Sequence, residues 1–401
     1  MAGSLVTLRT AGWTAAGYPV DIDTDVKIRS VDTLLVNMRE QSVDFLKYIG
    51  GPTSFTFNNT KREWIEDDLW SRRITGCTAA GGAGAQALEL GADIAFRFPV
   101  GTLFKCVDTD QLLRVTVVAP GADASVLTVV EAVAAAVVTA ILATYEVKVA
   151  GQAMAANAVW SFRPGSILSP LYNYGQVMTD AIEVTYDRME TDIYGLQGSD
   201  LDYLAANAVA ENFVKMEGML LDGKRSYGID ADHPALAGGV KFYVTAGNGA
   251  QVTNLADVAL TRKDLDDKLQ ALWYAVGPEK MARTCLISGW GKRKISSWFS
   301  SAERLSPPAG TAGIVIDRIN TDFGAVDFLL HTALDKDELL LLNRENIKMG
   351  CHGNLGRPHL MIPAGVDTTG PYVKRFYYAH LTVQCKGVQG MGRIHNFSVT
   401  A

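Results

Sequence analysis

The histidines and cysteines in the last third of the chain are the residues whose types most suggest a chemical role. Cys351 and His352 are adjacent, and His359 and His380 follow. A metal-dependent hydrolase that used His352 and His359 would be one function for this set. However, the spacing matches no zinc-binding pattern, and the intervening Gly-Arg-Pro at 356–358 predicts a loop. We therefore predict no metal ligands, no catalytic residues and no cofactor, and keep the hydrolase as an alternative function.

Other motifs resemble functional sites but lack a residue that the chemistry requires. The acidic run Asp335–Glu338 has Leu340 where a calcium loop needs glycine. Ser288 has no glycine two positions before it, so it is not a nucleophile elbow. The glycines at 81–84 lack the lysine and the following helix of a phosphate-binding loop. The densest basic run, Lys292–Lys294, predicts the solvated start of a helix.

Composition excludes several classes of protein. The chain has 401 residues, 48% of them hydrophobic and 20% charged, which is enough for two or three domains with buried cores. Its net charge of −6 does not favour tight binding to nucleic acid. The most apolar stretch, Val126–Ala143, is interrupted by Glu131 and is too weakly hydrophobic for a membrane span, so it predicts a strand followed by a short helix. Residues 1–19 lack the features of a signal peptide.

Cysteine usage indicates a reducing compartment. The number of cysteines is odd, they are widely spaced, and none belongs to a CxxC pair. This pattern argues against a disulfide framework. The five residues are Cys77, Cys106, Cys285, Cys351 and Cys385.

The clearest predicted helix spans Ser199–Asp222. Ser199 and Asp202 have the spacing of a capping box, and Gly223 follows as a C-cap glycine. Apolar residues recur at steps of three and four, which is the helical period. The residues predicted to form its buried core are Leu204, Val209, Phe213, Met216 and Leu220. Shorter helices are predicted for Val31–Ile49 and for the segment from Thr261 to Val276, where Thr261 and Asp264 form a second capping box.

Extended structure is predicted on both sides of a β-rich unit. Residues 54–73 mix two tryptophans with a high density of charge, a composition that suits an exposed element docking on another surface. Residues 94–149 predict a compact β-rich unit, and residues 159–187 are again extended. In the C-terminal part, Lys374–Cys385 predicts a long strand, with Gly392–Val399 as its pairing partner.

Three short motifs resemble those of a known family. Glu63–Leu69 looks like an E-W-x-x-D-x-L sequence that opens an extended loop, and Thr321–Gly324 with the strand Val326–Leu330 looks like a second motif. Leu334–Leu339 resembles a third motif, a D-x-x-x-L sequence that follows the second one. In this order and spacing, the motifs resemble those of tailed-bacteriophage major capsid proteins with the Hong Kong 97 fold. The resemblance covers residues 35–400, and its main departure is the β-rich unit at 91–158.

The resemblance implies an α+β fold with a defined order of domains. The chain would begin with an N-terminal arm and first helix, and an extended loop would carry the β-rich unit as an insertion. A peripheral domain with the long helix as its spine, an axial domain and a C-terminal β return to the peripheral domain would follow. The predicted bounds are 1–52, 53–180 with the insertion at 91–158, 181–257 with the spine helix at 199–222, 258–378, and 379–401.

The same resemblance implies a structural protein and no enzyme. The chain would self-assemble through hexamers and pentamers into the icosahedral shell that encloses phage DNA, and would be found in the virion after synthesis in the host bacterial cytoplasm. Its partners would be further copies of itself, portal, scaffold or decoration proteins, and packaged double-stranded DNA held by weak non-specific contacts, with no membrane. An encapsulin-like nanocompartment shell is the alternative with the same fold, and a phage tail or fibre module is a third.

Contacts between subunits are predicted for the charged part of the extended loop. Two tryptophans would act as anchors, and the surrounding charges would fix the register through pairs with the neighbouring subunit. The residues are Trp64, Trp70, Glu63, Glu66, Asp67, Asp68, Arg72 and Arg73.

Overall fold

The computed structural model describes residues 43–67, 73–90, 97–118, 126–133, 137–154, 168–190, 200–298, 318–361 and 372–399. Its α-helices are α1 (Asp44–Tyr48), α2 (Tyr186–Met189), α3 (Asp200–Asp222), α4 (Val240–Tyr243), α5 (Arg262–Val276) and α6 (Gly289–Ser297). Short 3₁₀ turns lie at Ala246–Asn248, Arg344–Asn346 and Val388–Gly390. Mixed helix and sheet agree with the predicted α+β class.

The strands are short except for one near the C-terminal end. They are β1 (Phe55–Phe57), β2 (Lys61–Asp67), β3 (Arg73–Thr75), β4 (Thr78–Ala79), β5 (Gln86–Glu89), β6 (Thr102–Cys106), β7 (Leu112–Val117), β8 (Val126–Glu131), β9 (Glu146–Gln152), β10 (Leu168–Tyr174), β11 (Gln176–Thr185), β12 (Gln251–Asn254), β13 (Thr284–Ile287), β14 (Arg318–Thr321), β15 (Gly324–Leu330), β16 (Glu338–Leu342), β17 (Ile347–His352), β18 (His359–Met361), β19 (Tyr372–Cys385) and β20 (Gly392–His395).

The chain divides into two compact units that each take several segments. The first unit comprises Met1–Asn58, Gly175–Gly239 and Lys348–Thr382. The second comprises Asn59–Tyr174, Val240–Ile347 and Val383–Ala401. This division differs from the predicted domain bounds, because residues 348–378 fall with the long helix rather than with the preceding axial segment.

The long helix α3 packs against the sheet of the first unit. This sheet has the order β1-β17-β19-β11, with β18 paired to β19. Ile182 and Val184 of β11 form a cluster with Leu201 and Ala205 of the helix. Of the predicted core residues, Met216 and Leu220 are fully buried, whereas Leu204, Val209 and Phe213 are half-buried. Ser199, the predicted cap, lies outside the described residues.

Gly223 follows the helix for a reason different from the predicted one. Its φ is not in the left-handed region that a C-cap glycine adopts. Instead, a Cβ at this position would lie 2.4 Å from the carbonyl oxygen of Ala237 and 2.5 Å from that of Met219. Glycine is therefore required because another stretch of backbone approaches closely, which a pattern read along one helix does not reveal.

Glu217 of the same helix holds the first turn of α1. Its Oε1 accepts hydrogen bonds from the backbone N–H groups of Phe45 at 2.7 Å and Leu46 at 3.1 Å. Glu217 is 3% exposed, so this carboxylate satisfies amides that the start of a helix leaves without partners. Most of the predicted helix at 31–49 lies outside the described residues.

The second unit contains a six-stranded sheet with the order β12-β20-β16-β13-β15-β14. Helix α5 starts with the predicted capping box, in which the Asp264 carboxylate accepts from the Thr261 backbone N–H at 2.8 Å. Strand β20 pairs with β16 and β12. The predicted pairing of residues 392–399 with 374–385 is therefore wrong. Since β16 is buried throughout, it needs a neighbour on both edges.

The β-rich insertion forms a seven-stranded sheet with the order β3-β9-β6-β7-β8-β5-β4. Its core includes Leu88, Phe104, Leu113 and Val129, each with no exposed surface. The sheet begins at Arg73. Residues 73–90 therefore belong to the insertion, and not to the part of the extended loop that was predicted to precede it. The predicted short helix after β8 is not found in residues 137–143, where Val138 and Ile141 form single β-bridges. No helix in the described part of the chain is long and apolar enough to cross a membrane.

Candidate assembly surface

The extended loop is a two-stranded ribbon of β2 and β10. The strands are antiparallel, with Trp64 opposite Leu171 and Ile65 opposite Pro170. The two-stranded arrangement agrees with the prediction, but the ribbon is shorter than predicted. Phe55–Phe57 and residues 176–180 of β11, which the sequence assigns to the loop, pair instead with β17 and β19.

Trp64 lies on the inner face of the ribbon and is 5% exposed. Its ring lies 5.7 Å from that of Tyr243. Its Nε1 donates to Oε1 of Glu66 at 3.1 Å, and the same oxygen accepts from the backbone N–H of Gly387 at 3.1 Å. The expectation that Trp64 is an exposed anchor is therefore wrong, because the side chain is buried within its own subunit.

The ribbon is also held by groups of β10. Asn173 has no exposed surface, and its Nδ2 donates to the carbonyl of Val383 at 2.7 Å. The hydroxyl of Tyr243 donates to the carbonyl of Tyr172 at 2.8 Å. These bonds satisfy buried polar groups, and they attach the ribbon to the rest of the second unit. The ribbon therefore has anchoring contacts within its own subunit, and its marginal stability alone stays a prediction.

Glu63, Ile65 and Asp67 lie on the exposed side of β2, opposite Trp64, and we call this side the outer face of the ribbon. Ile65 is 63% exposed, and Pro170 opposite it is also exposed. Glu63 forms a salt bridge with Lys61, which raises the pKa of that lysine. A large exposed aliphatic residue between two carboxylates, on a rigidly held ribbon, is suited to contact another surface.

Ile65 was not among the contact residues predicted from the sequence. Trp64 and Ile65 are adjacent apolar residues, and successive side chains of a strand point to opposite faces. Either residue could face outward by this local rule. The one signal that favoured burial of Trp64 is size, because a tryptophan loses more surface on burial than an isoleucine does.

Arg73 already has a partner in its own subunit. It stands at the start of β3, outside the ribbon, and its guanidinium donates to both oxygens of Glu146 at 2.8 and 3.0 Å. It also lies over the ring of Tyr274, 4.9 Å from the centroid. A pairing of Arg73 with a neighbouring subunit would compete with these contacts. Trp70, Asp68 and Arg72 lie outside the described residues.

A hairpin of the first unit offers a second exposed apolar surface. Ser226 and Leu236 form a β-bridge, and Ile229 donates its backbone N–H to His233. Tyr227 is 66% exposed and Ile229 is 81% exposed. This hairpin was not predicted from the sequence, although apolar residues among Gly, Asp and Pro are a recognisable signal of an exposed turn.

The acidic run considered for calcium is engaged in ion pairs. Glu338 is 1% exposed. Its carboxylate lies 2.7 Å from Nζ of Lys241 and 2.6 Å from Nε of Arg393. Burial raises the pKa of Glu338, while Lys241 and Arg393 act in the opposite direction. A hydrogen bond from Lys241 lowers the pKa of Asp335. These carboxylates neutralise protein cations and are not arranged around a vacant centre.

The histidines considered for metal form an aromatic cluster. The rings of His352 and His380 stack at 4.7 Å, and Phe57 meets both edge-on. Burial, with a smaller contribution from His352, lowers the pKa of His380. Cys351 is buried, and His359 contacts Tyr378. Within the described ranges, no three His, Cys, Asp or Glu side chains are grouped so that they could hold a metal ion.

Ser288 also has a structural role. Its hydroxyl accepts from the backbone N–H of Gly291 at 3.2 Å as the N-cap of α6, and donates to the carbonyl of Lys336 at 3.0 Å. The first bond caps the helix, and the second holds its start against the loop that precedes β16.

The fold is shared with shell-forming proteins. The capsid of cyanophage A-1(L) matches with a TM-score of 0.57 and 9% identity, over 94% of this chain and 98% of that chain. The capsid of a native GTA particle matches with a TM-score of 0.50 and 10% identity, over 94% and 96%. The holo-SrpI encapsulin complex of Synechococcus elongatus PCC 7942 reaches a TM-score of 0.41 with 14% identity, over 59% of this chain and 79% of that chain, which is too low to bear on function.

The first two matches show the Hong Kong 97 fold, as the motifs predicted. No curated protein has a sequence that matches this chain significantly. The family described as SU10 major capsid protein matches residues 14–398. The chain belongs to this family and is a major capsid protein of a phage, a structural component of the virion.

Proposed function

We propose that the chain assembles through hexamers and pentamers into an icosahedral shell around phage DNA, and that the outer face of the ribbon lies against a neighbouring subunit. One observation carries the second part: Ile65 is 63% exposed on a ribbon whose inner face is fixed by Trp64 and Asn173. A ribbon that is ordered before assembly presents its outer face without a large entropic cost on contact.

Weak contacts suffice for such a shell because each is repeated in every subunit. Burial of an isoleucine side chain contributes at most about 1.5–3 kcal/mol, and an exposed ion pair contributes up to about 1 kcal/mol. Closed symmetry multiplies these values over the whole surface. Glu63 and Asp67 would set the register, since their charges favour basic groups on the neighbour and disfavour acidic ones.

We further propose the other partners of the chain. Packaged DNA would make weak and non-specific contacts, in keeping with the net charge of −6. Portal, scaffold or decoration proteins would contact the shell, and the chain would be made in the host bacterial cytoplasm. The role is structural, and we assign no catalytic activity.

The substitution Ile65→Asp tests the proposed contact. It should leave the subunit folded, because the side chain is mostly exposed, but it should reduce shell formation by at least about tenfold, since a third carboxylate would enter the interface. Shell yield is measured by sedimentation and electron microscopy, and the fold by circular dichroism. The matched control is Val133→Asp, which places the same charge on an aliphatic residue that is 79% exposed on the insertion. Shells formed at the wild-type yield by Ile65→Asp would refute the contact.

A further inference from the structure

Helix α4 connects two parts of the second unit. It has four residues, and it ends at Tyr243, which is 1% exposed. Tyr243 packs against Trp64 and donates to the carbonyl of Tyr172, so it contacts both strands of the ribbon. A helix this short is not stable by its own backbone bonds, and its position depends on what holds its side chains.

Lys241 holds the helix at its other side. Its Nζ lies 2.7 Å from Oε2 of Glu338 and 2.8 Å from Oδ2 of Asp335. Glu338 is the first residue of β16, in the six-stranded sheet, and its other oxygen lies 2.6 Å from Nε of Arg393 on β20. One buried carboxylate thus joins a cation from the sheet to a cation from α4.

The two cations have different structural consequences. Arg393 belongs to the strand beside β16, so its pair with Glu338 joins two strands that already share backbone hydrogen bonds. The side chain of Lys241 is only 10% exposed, and its ion pair joins the sheet to α4. At the other end of α4, the hydroxyl of Tyr243 donates to the ribbon. Loss of Lys241 would still leave Glu338 with one counter-ion, so the sheet would remain neutralised at that point.

We propose that Lys241 is a positioning residue for the ribbon. Its ion pair with Glu338 fixes α4, and α4 fixes Trp64 and the backbone at Tyr172. The outer face is then presented at a defined place before two subunits meet. This inference rests on the proposed function, because a defined position matters only if the outer face contacts a neighbour.

The test compares Lys241→Met with Arg393→Met in the full-length chain, kept unassembled at low concentration. Each variant removes one of the two cations from Glu338, but only the first releases α4. Amide hydrogen exchange is followed by mass spectrometry in β2 and β10 and, separately, in β13 and β15. Lys241→Met should speed exchange in the ribbon by at least about tenfold with little change in β13 and β15, and should lower shell yield. Arg393→Met should leave exchange in the ribbon within about threefold of the wild type.

The inference would be overturned if amide exchange in the ribbon of Lys241→Met were as slow as in the wild type. It would also be overturned if the two variants accelerated exchange in the ribbon equally. A ribbon that loosens in Lys241→Met while shells form at the wild-type yield would support the positioning role and refute the contact of the outer face. Should Lys241→Met not fold, Lys241→Gln, which keeps a donor but no charge, is compared in the same way, with the same ordering expected.

Discussion

The ribbon and the insertion are both β-structures within one excursion of the chain, but they are stabilised in different ways. The insertion has its own core of apolar side chains, among which Leu88, Phe104 and Leu113 have no exposed surface. The ribbon has two strands and no core of its own, and depends on Tyr243 and Val383 elsewhere in its unit. A pair of strands alone is marginal in water, whereas several strands around a shared core are not. The insertion should therefore lose stability when apolar side chains of its core are truncated, and the ribbon should lose stability when a single anchoring group is removed.

Truncation of the insertion core should have the largest effect. Phe104 has no exposed surface and meets Phe98 at 5.0 Å. Phe104→Ala should destabilise the insertion by about 4–5 kcal/mol, because it removes a large apolar side chain and leaves a cavity. Amide exchange in β6–β9 would report the loss, while β13 and β15 should stay protected. Val133→Ala, at an exposed position of the same region, is the control and should be nearly neutral. Comparable loss of protection in β13 and β15 would contradict the idea of a self-contained core.

Trp64→Ala should have the next largest effect. The side chain is 5% exposed and packs on Tyr243, so its removal should cost about 3 kcal/mol. Protection should be lost in β2 and β10 and retained in β6–β9. Urea unfolding of the unassembled chain, followed with exchange, measures both. Ile65→Ala, at the adjacent position on the opposite face, should leave stability within about 0.5 kcal/mol of the wild type. Equal effects of the two substitutions would mean that the faces are not distinct.

Removal of the amide of Asn173 should weaken the ribbon by a smaller amount. Asn173→Ala leaves the carbonyl of Val383 without its donor in a buried place, which should cost about 2 kcal/mol. Exchange at β10 should increase more than exchange at β6–β9. Asn173→Asp keeps the shape but turns the donor into a carboxylate, so it should be worse than alanine. An aspartate variant as stable as the wild type would show that the bond contributes little.

Acidification should have the smallest effect on stability. It should act mainly on the sheet that contains His380, whose side chain changes charge in this pH range. Burial lowers the pKa of His380 from its ordinary 6.5. The unfolded chain then binds a proton at a higher pH than the folded one, so stability is lost as the pH falls from about 6.5 through the lowered value. Exchange in β11 and β19 should therefore rise between pH 7 and pH 5.5, after correction for the intrinsic rate. His380→Gln should remove this dependence, and an unchanged dependence in that variant would assign it to another group.

The parts of the structure that the sequence predicted are those set by local rules. The helix at Asp200–Asp222 was predictable because its apolar periodicity lies within one segment, and the capping box at Thr261 is equally local. The pairing of β20 was not predictable, because it depends on β16 needing a neighbour on its second edge. The inward orientation of Trp64 was not predictable for a similar reason: it depends on Tyr243, which is distant in sequence, and not on the alternation along β2.

The pairing of β3 with β9 has a consequence for how such genes change. Arg73 lies opposite Lys148 and Thr75 opposite Glu146, so the first strand of the insertion pairs directly with its last strand, about 5 Å apart as paired strands are. A segment with neighbouring ends can be exchanged by recombination without moving the strands that flank it. We therefore expect the insertion to tolerate replacement as a unit, because its first and last strands are neighbours in one sheet.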